Sequence, residues 1–174
     1  MTRSFVLTLT GADRVGIVDA LTRLLLDHGG NVETSRMARL GGEFAVLMLV
    51  GMPAERCDRL SQALESLIAQ GYKVTTTPTE PSHAGGLPYE IEVEGADHEG
   101  IIHGVAHYLS ERGINIESVD TETTSAAVSG SPLFTMTARV MVPPDPASEG
   151  WEQGLADIAH RENLEITVTR AAQA

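Results

Sequence analysis

Two eight-residue phrases, GADRVGIV at 11–18 and GADHEGII at 95–102, hold the residues best placed to do chemistry. In each, an aspartate precedes a glycine by three positions, where a strand-like pattern gives way to helical spacing. Asp13 and Asp97 are placed to accept a hydrogen bond from the backbone N–H of Gly16 or Gly100 and so cap a helix start. Glycine within a first turn costs up to about 1 kcal/mol relative to alanine unless close approach requires it, so a neighbour is expected to pack against that turn. A helix start of this kind offers backbone N–H groups and partial positive charge to a carboxylate.

A second constellation lies on the helix that follows the second phrase. Glu99, His103, His107 and Glu111 stand four residues apart, so one stripe carries carboxylate, imidazole, imidazole, carboxylate. Histidines at i and i+4 suit zinc or nickel, but an exposed helix face accounts for the same pattern. The reading is therefore no metal, with His103 and His107 as the residues that would hold one. No G-x-S-x-G elbow, Walker loop, G-x-G-x-x-G or C-x-x-C pair occurs, so no catalytic residue is assigned and the chain is read as non-enzymatic. Cys57, the single cysteine, falls on the apolar stripe of a helix and reads as a core filler.

The elements that position these residues follow from a repeat. With an offset of 84, residues 11–33 and 95–117 are identical at 9 of 23 positions, and most remaining apolar positions match in kind, as duplication requires. In the first copy Phe5, Leu7 and Leu9 alternate with Val6, Thr8 and Thr10 as a half-buried strand. Ile17, Leu21, Leu24, Leu25 and His28 then recur at helical spacing until Gly29-Gly30. Strands follow over 31–39 and 43–50 around Gly41-Gly42, then a helix over 54–70 opened by Pro53, with Cys57, Leu60, Leu64, Leu67 and Ile68 on one side, and a strand over 72–77. The second copy repeats the order with strands near 89–94, 114–123, 133–142 and 164–169, a helix near 99–112 and another bearing Trp151. Eleven steps separate Glu33 from Phe44 but 17 separate Glu117 from Phe134, so about six residues are inserted around TSAAVSGSP.

The fold class is α+β: two ferredoxin-like βαββαβ modules, each a four-stranded antiparallel sheet with two helices on one face. The modules are expected at 1–79 and 89–174, joined by a Pro/Gly-rich linker at 80–88. The second sheet's outer side carries Glu90, Glu92, Glu94, Thr135, Thr137, Arg139, Thr167 and Thr169, a solvated composition. In the first, Phe44, Val46, Met48 and Val50 stand opposite Ala45, Leu47 and Leu49, so its outer face or edge is expected to be covered by the other module or by another chain of a homo-oligomer.

At 174 residues and 42% apolar content the chain can bury a core. Its 12 basic and 24 acidic residues, a formal charge of -12, oppose contact with nucleic acid or anionic membrane. The longest apolar run, 44–52, is about half a membrane-spanning helix. No basic segment followed by an apolar run opens the sequence, and a cytoplasmic protein fits. The same element order also hosts RNA-recognition modules, but these need aromatics on the central strands and a basic surface, and Phe44 and Phe134 are too few.

D-x-x-G-I at a first turn, a helix of about a dozen residues and then G-x-N-V/I-E, present in both copies, resembles the ACT domain. The stretch S-G-S-P-x-F at Ser129 to Phe134 is similar to a subgroup of tandem ACT proteins that repress transcription. The resemblance implies a small amino-acid effector, glycine or serine, with no other cofactor, lying between one module's first turn and the second strand of a neighbouring module. Carried over by position, Asp13, Arg14, Val15, Gly16, Ile17 and Asn31 form the first ligand site, and Asp97, His98, Glu99, Gly100, Ile101 and Asn115 the second. Arg14-Val15 becomes His98-Glu99, so the first site is expected to bind a carboxylate better or alone. The implied partner is a DNA-binding transcriptional regulator. A separate regulatory subunit of an amino-acid enzyme is the main alternative, and an RNA-binding module a lesser one.

Overall fold

The computed structural model describes residues 2–80, 85–125, 130–145 and 149–172. It divides into two compact units, Met1–Ser82 and His83–Ala174. In the first, β1 (Thr2–Ala12), α1 (Ile17–Asp27), β2 (Asn31–Leu40), β3 (Glu43–Pro53), α2 (Cys57–Ile68) and β4 (Lys73–Thr79) form an antiparallel sheet of order β2-β3-β1-β4. In the second, β5 (Leu87–Ala96), α3 (Ile101–Glu111), β6 (Asn115–Ser125), β7 (Pro132–Val142), α4 (Trp151–Glu162) and β8 (Leu164–Arg170) give β6-β7-β5-β8. This is the predicted α+β architecture, twice.

Each core follows from the alternation in its strands and the stripes on its helices. In the first unit Phe5, Leu7 and Leu9 of β1 and Val46, Met48 and Val50 of β3 are buried against Ile17, Leu21 and Leu25 of α1 and Leu60, Leu64 and Leu67 of α2. In the second, Ile91 and Val93 meet Val105, Leu109, Trp151 and Leu155. Burying a Leu or Ile fully contributes roughly 1.5–3 kcal/mol, so these stripes fix which face of each sheet the helices cover. The opposite face of the first sheet leaves Leu47 48% exposed and Leu49 half-buried.

Several local expectations are corrected. The segment after Pro53 opens as a 3-10 turn, Ala54–Arg56, before α2 begins, because proline presets the turn but supplies no N–H. Ile68 is 50% exposed rather than on the buried side, since Leu60, Leu64 and Leu67 already fill the stripe. Leu87 and Pro88, read from composition as linker, pair with Val142 and Met141. The insertion between β6 and β7 adds one ladder pair, Ser125 with Pro132, and part of it, 126–129, lies outside the described residues, Ser129 included.

Candidate ligand site at the first turn of each unit

The turn that leads into α1 is set by backbone conformation. Gly16 is the N-cap residue at φ 93°, in the left-handed region, and no side chain caps the helix. Gly100 does the same before α3 at φ 96°. An added Cβ would meet nothing within 4 Å at either glycine. Two expectations thus fall together: Asp13 and Asp97 do not cap, and nothing packs hard on Gly16 or Gly100. These glycines are needed because a side chain at that φ costs roughly 1–2 kcal/mol. The close approach belongs instead to the first glycine of each phrase. A Cβ on Gly11 would lie 2.6 Å from Tyr72 Cδ1, and one on Gly95 would lie 2.5 Å from Leu164 Cδ2.

Asp13 turns toward the sheet edge. Its N–H donates to the Gly42 carbonyl at 3.0 Å, and its carboxylate pairs with Arg39 Nε at 3.2 Å. The N–H of Asp97 donates to the Pro132 carbonyl at 3.1 Å, but the residue in register with Arg39 is Thr123, so the cation is lost. Arg14 lies over the Tyr72 ring, its guanidinium carbon 4.8 Å from the centroid, and donates to Gln70 Oε1. His98 Nδ1 instead contacts the Glu99 carbonyl at 3.1 Å. Val15 is fully exposed at the tip of the turn, where the second unit presents Glu99. Ile17 and Ile101 are 3% and 4% exposed, so they offer a ligand their backbone rather than their side chains.

Asn31 and Asn115 are exposed and open β2 and β6, at the other end of the unit from these turns. Asn31 pairs with Gly51, whereas Ala12 and Leu40 both pair with Glu43. The 11 residues of α1 lie between the turn and Asn31, about 16 Å at 1.5 Å per residue. A single unit therefore assembles Asp13 to Ile17 and holds Asn31 away from them. Along the outer side of α1 and the edge strand β2 runs an open groove of about 440 Å³ lined by Asp19, Thr22, Arg23, Leu26, Gly30 and Val32. Leu26, 72% exposed, and Val32, 36% exposed, supply its apolar part, beside the charged Asp19, Arg23 and Asp27. Arg39, Gln70 and Tyr72, which hold the first turn's charged residues, were not among the sequence candidates. Their signal is tertiary, in the β1–β4 and β2–β3 ladders.

The His103 and His107 rings stack nearly parallel, 5.7 Å apart, and His107 Nε2 lies 3.6 Å from Glu111 Oε1. Among the described residues no group of three or more His, Cys, Asp or Glu is arranged to hold a metal, and no helix is long and apolar enough to cross a membrane.

Residues 3–75 match the ACT domain family. The first unit is an ACT domain. The second unit repeats the same element order, so the chain is a tandem of two ACT-like modules. It is 51% identical over 45 residues to the glycine cleavage system transcriptional repressor of Escherichia coli (strain K12), a match spanning 26% of this chain and only 24% of that curated relative. An unknown protein from Galdieria sulphuraria, solved by crystallography, is similar over 99% of this chain and 100% of its own, with 35% identity and a TM-score of 0.87. A crystal structure described as a candidate glycine cleavage system transcriptional repressor covers 99% of both chains at 22% identity and a TM-score of 0.69, a likeness of fold.

Proposed function

We propose that this ACT protein is a non-enzymatic regulator that senses glycine or serine and represses glycine cleavage genes by contact with a DNA-binding regulator. The observation that carries the sensing half is the uncapped, glycine-turned helix start, present in both units. A carboxylate there meets N–H groups that no side chain occupies and the positive end of the helix dipole. A carboxamide serves the ligand's other end, and because Asn31 stands a helix length away, the Asn31 of a second copy of the chain completes the site. The exposed Leu26 and Val32 along α1 and β2 support such a neighbour. The first turn, with Arg14 and Arg39 at hand, takes the ligand in preference to the second, whose counterparts are His98 and Thr123. The match to the curated repressor supports the transcriptional half.

Glycine has five heavy atoms, so at a ceiling of roughly 1.5 kcal/mol each it gains about 7.5 kcal/mol, a micromolar Kd at best. A thermal-shift screen of free amino acids against the full chain is the test. Ligand at about a hundred times Kd adds roughly 2.7 kcal/mol of stability, a readily measured rise in Tm. Glycine or serine should give it and Asn31→Ala should reduce it. A flat screen, or binding indifferent to Asn31→Ala, Arg14→Ala and Gly16→Ala alike, overturns the sensor reading.

A further inference from the structure

The two units share a scaffold but not a charge. Met1–Ser82 holds eight basic and nine acidic residues, and His83–Ala174 four and fifteen. Much of the excess lies on one surface. Ile91 and Val93 of β5 face the core, so Glu90, Glu92 and Glu94 face away from it. Register sets Asp120 and Glu122 of β6 opposite Thr137 and Thr135 of β7, in the same rows as Glu92 and Glu94, and sets Glu165 of β8 opposite Glu94. All six carboxylates share the face that the helices leave open, and all but the half-buried Glu90 are exposed. Arg139, the one cation among the described residues of that face, is taken by Glu117 at 3.3 Å and the Ala172 carbonyl at 3.2 Å.

The fold does not demand this composition. At the six register-equivalent positions the first unit has Val6, Thr8, Thr10, Arg36, Ala38 and Lys73. The acidic arrangement also works against the sheet, because like charges directly opposite, as Glu94 and Glu165 are, destabilise a strand pair. Side chains on one face repeat about every 7 Å along a strand and about 4.8 Å across strands, so the carboxylates form a dense two-dimensional lattice. Such a surface repels nucleic acid and anionic lipid and complements a cationic protein.

We propose that the open face of the β6-β7-β5-β8 sheet is a docking surface for a cationic protein surface of the kind that otherwise holds DNA phosphates. This deepens the reading that the partner is a DNA-binding regulator and rests on it for the partner's identity. Docking there would cover the regulator's DNA-contacting residues directly.

The test uses the full chain and an oligo-arginine peptide of about twelve residues as the probe. Affinity is measured for two triple variants of equal net charge: Glu90→Gln with Glu92→Gln and Glu94→Gln on the open face, and Glu111→Gln with Glu152→Gln and Glu162→Gln on the helices. The face variant should bind about tenfold more weakly, the helix variant within about twofold of the parent. Amide shift perturbations in the parent should fall on β5, β6 and β7. Equal weakening of the two variants, or shifts spread over every carboxylate, shows an effect of net charge alone and overturns the proposal. Melting curves and amide spectra of the variants verify that they fold. If the probe maps to the face while the chain fails to repress a glycine cleavage reporter, the regulator reading falls and the docking surface stands.

Discussion

Gly11 and Gly16 sit five positions apart and are required for different reasons. Gly16 adopts φ 93° with open space around it, so Gly16→Ala should cost about 1–2 kcal/mol through backbone strain, and Gly16→Asn less, since Asn tolerates the left-handed region. Gly11→Ala pushes a methyl into the buried Tyr72 ring, an overpacking cost of about 1–3 kcal/mol that no choice of larger side chain relieves. Denaturant midpoints of the three variants separate the two mechanisms. Tyr108 offers a pH test. Burial is the main cause raising its phenol above the ordinary 10.0, partly offset by Arg112, and its hydroxyl donates to the Trp151 carbonyl at 2.7 Å. The folded state holds this proton more tightly than the unfolded chain. Its contribution is therefore fully present below pH 10.0 and is lost as pH rises through the higher folded value. Tyr108→Phe should be less stable at neutral pH by about 1 kcal/mol and should lose less stability than the parent between neutral pH and the alkaline limit, as read by Tm across that range.

At the scale of elements, Gly154 shows tertiary packing overruling propensity. Alanine within α4 gains up to about 1 kcal/mol of helix propensity, yet a Cβ at Gly154, in the first turn, would run into the Tyr108 ring and hydroxyl. Gly154→Ala should therefore lower Tm, and a rise would show that the α3–α4 contact gives way easily. Strands and helices with one buried face were legible in the sequence because burial imposes the period: Phe5, Leu7 and Leu9 for β1, Ile101, Val105 and Leu109 for α3. The edge strand β2 is exposed along nearly all its length and has no alternation, so only its flanking glycines mark it in the sequence. The place of the helix start is legible in the sequence but its cause is not, since an aspartate three residues before a glycine is the same string whether the carboxylate caps or the glycine turns left-handed. That Arg14 stacks on Tyr72 and Asp13 pairs with Arg39 depends on ladders joining distant segments, which local spacing does not encode.

Over the whole molecule the deciding feature is the uneven charge. Glu94→Gln removes one of two directly opposed carboxylates and should stabilise the second unit by up to about 1 kcal/mol, an effect that shrinks as salt rises from about 0.1 M to about 1 M and the screening length falls from about 10 Å to about 3 Å. Equal melting curves for parent and variant at low salt would mean that the carboxylates do not strain the sheet.

The two hydrophobic clusters have no residue in common. Drift in one half can therefore reshape its surface while the other keeps the interior that its own task demands. A single ancestral module had no such licence, because every change to its surface bore on the one interior it possessed. Two separate interiors let one unit's surface turn acidic while the other's stays near balance.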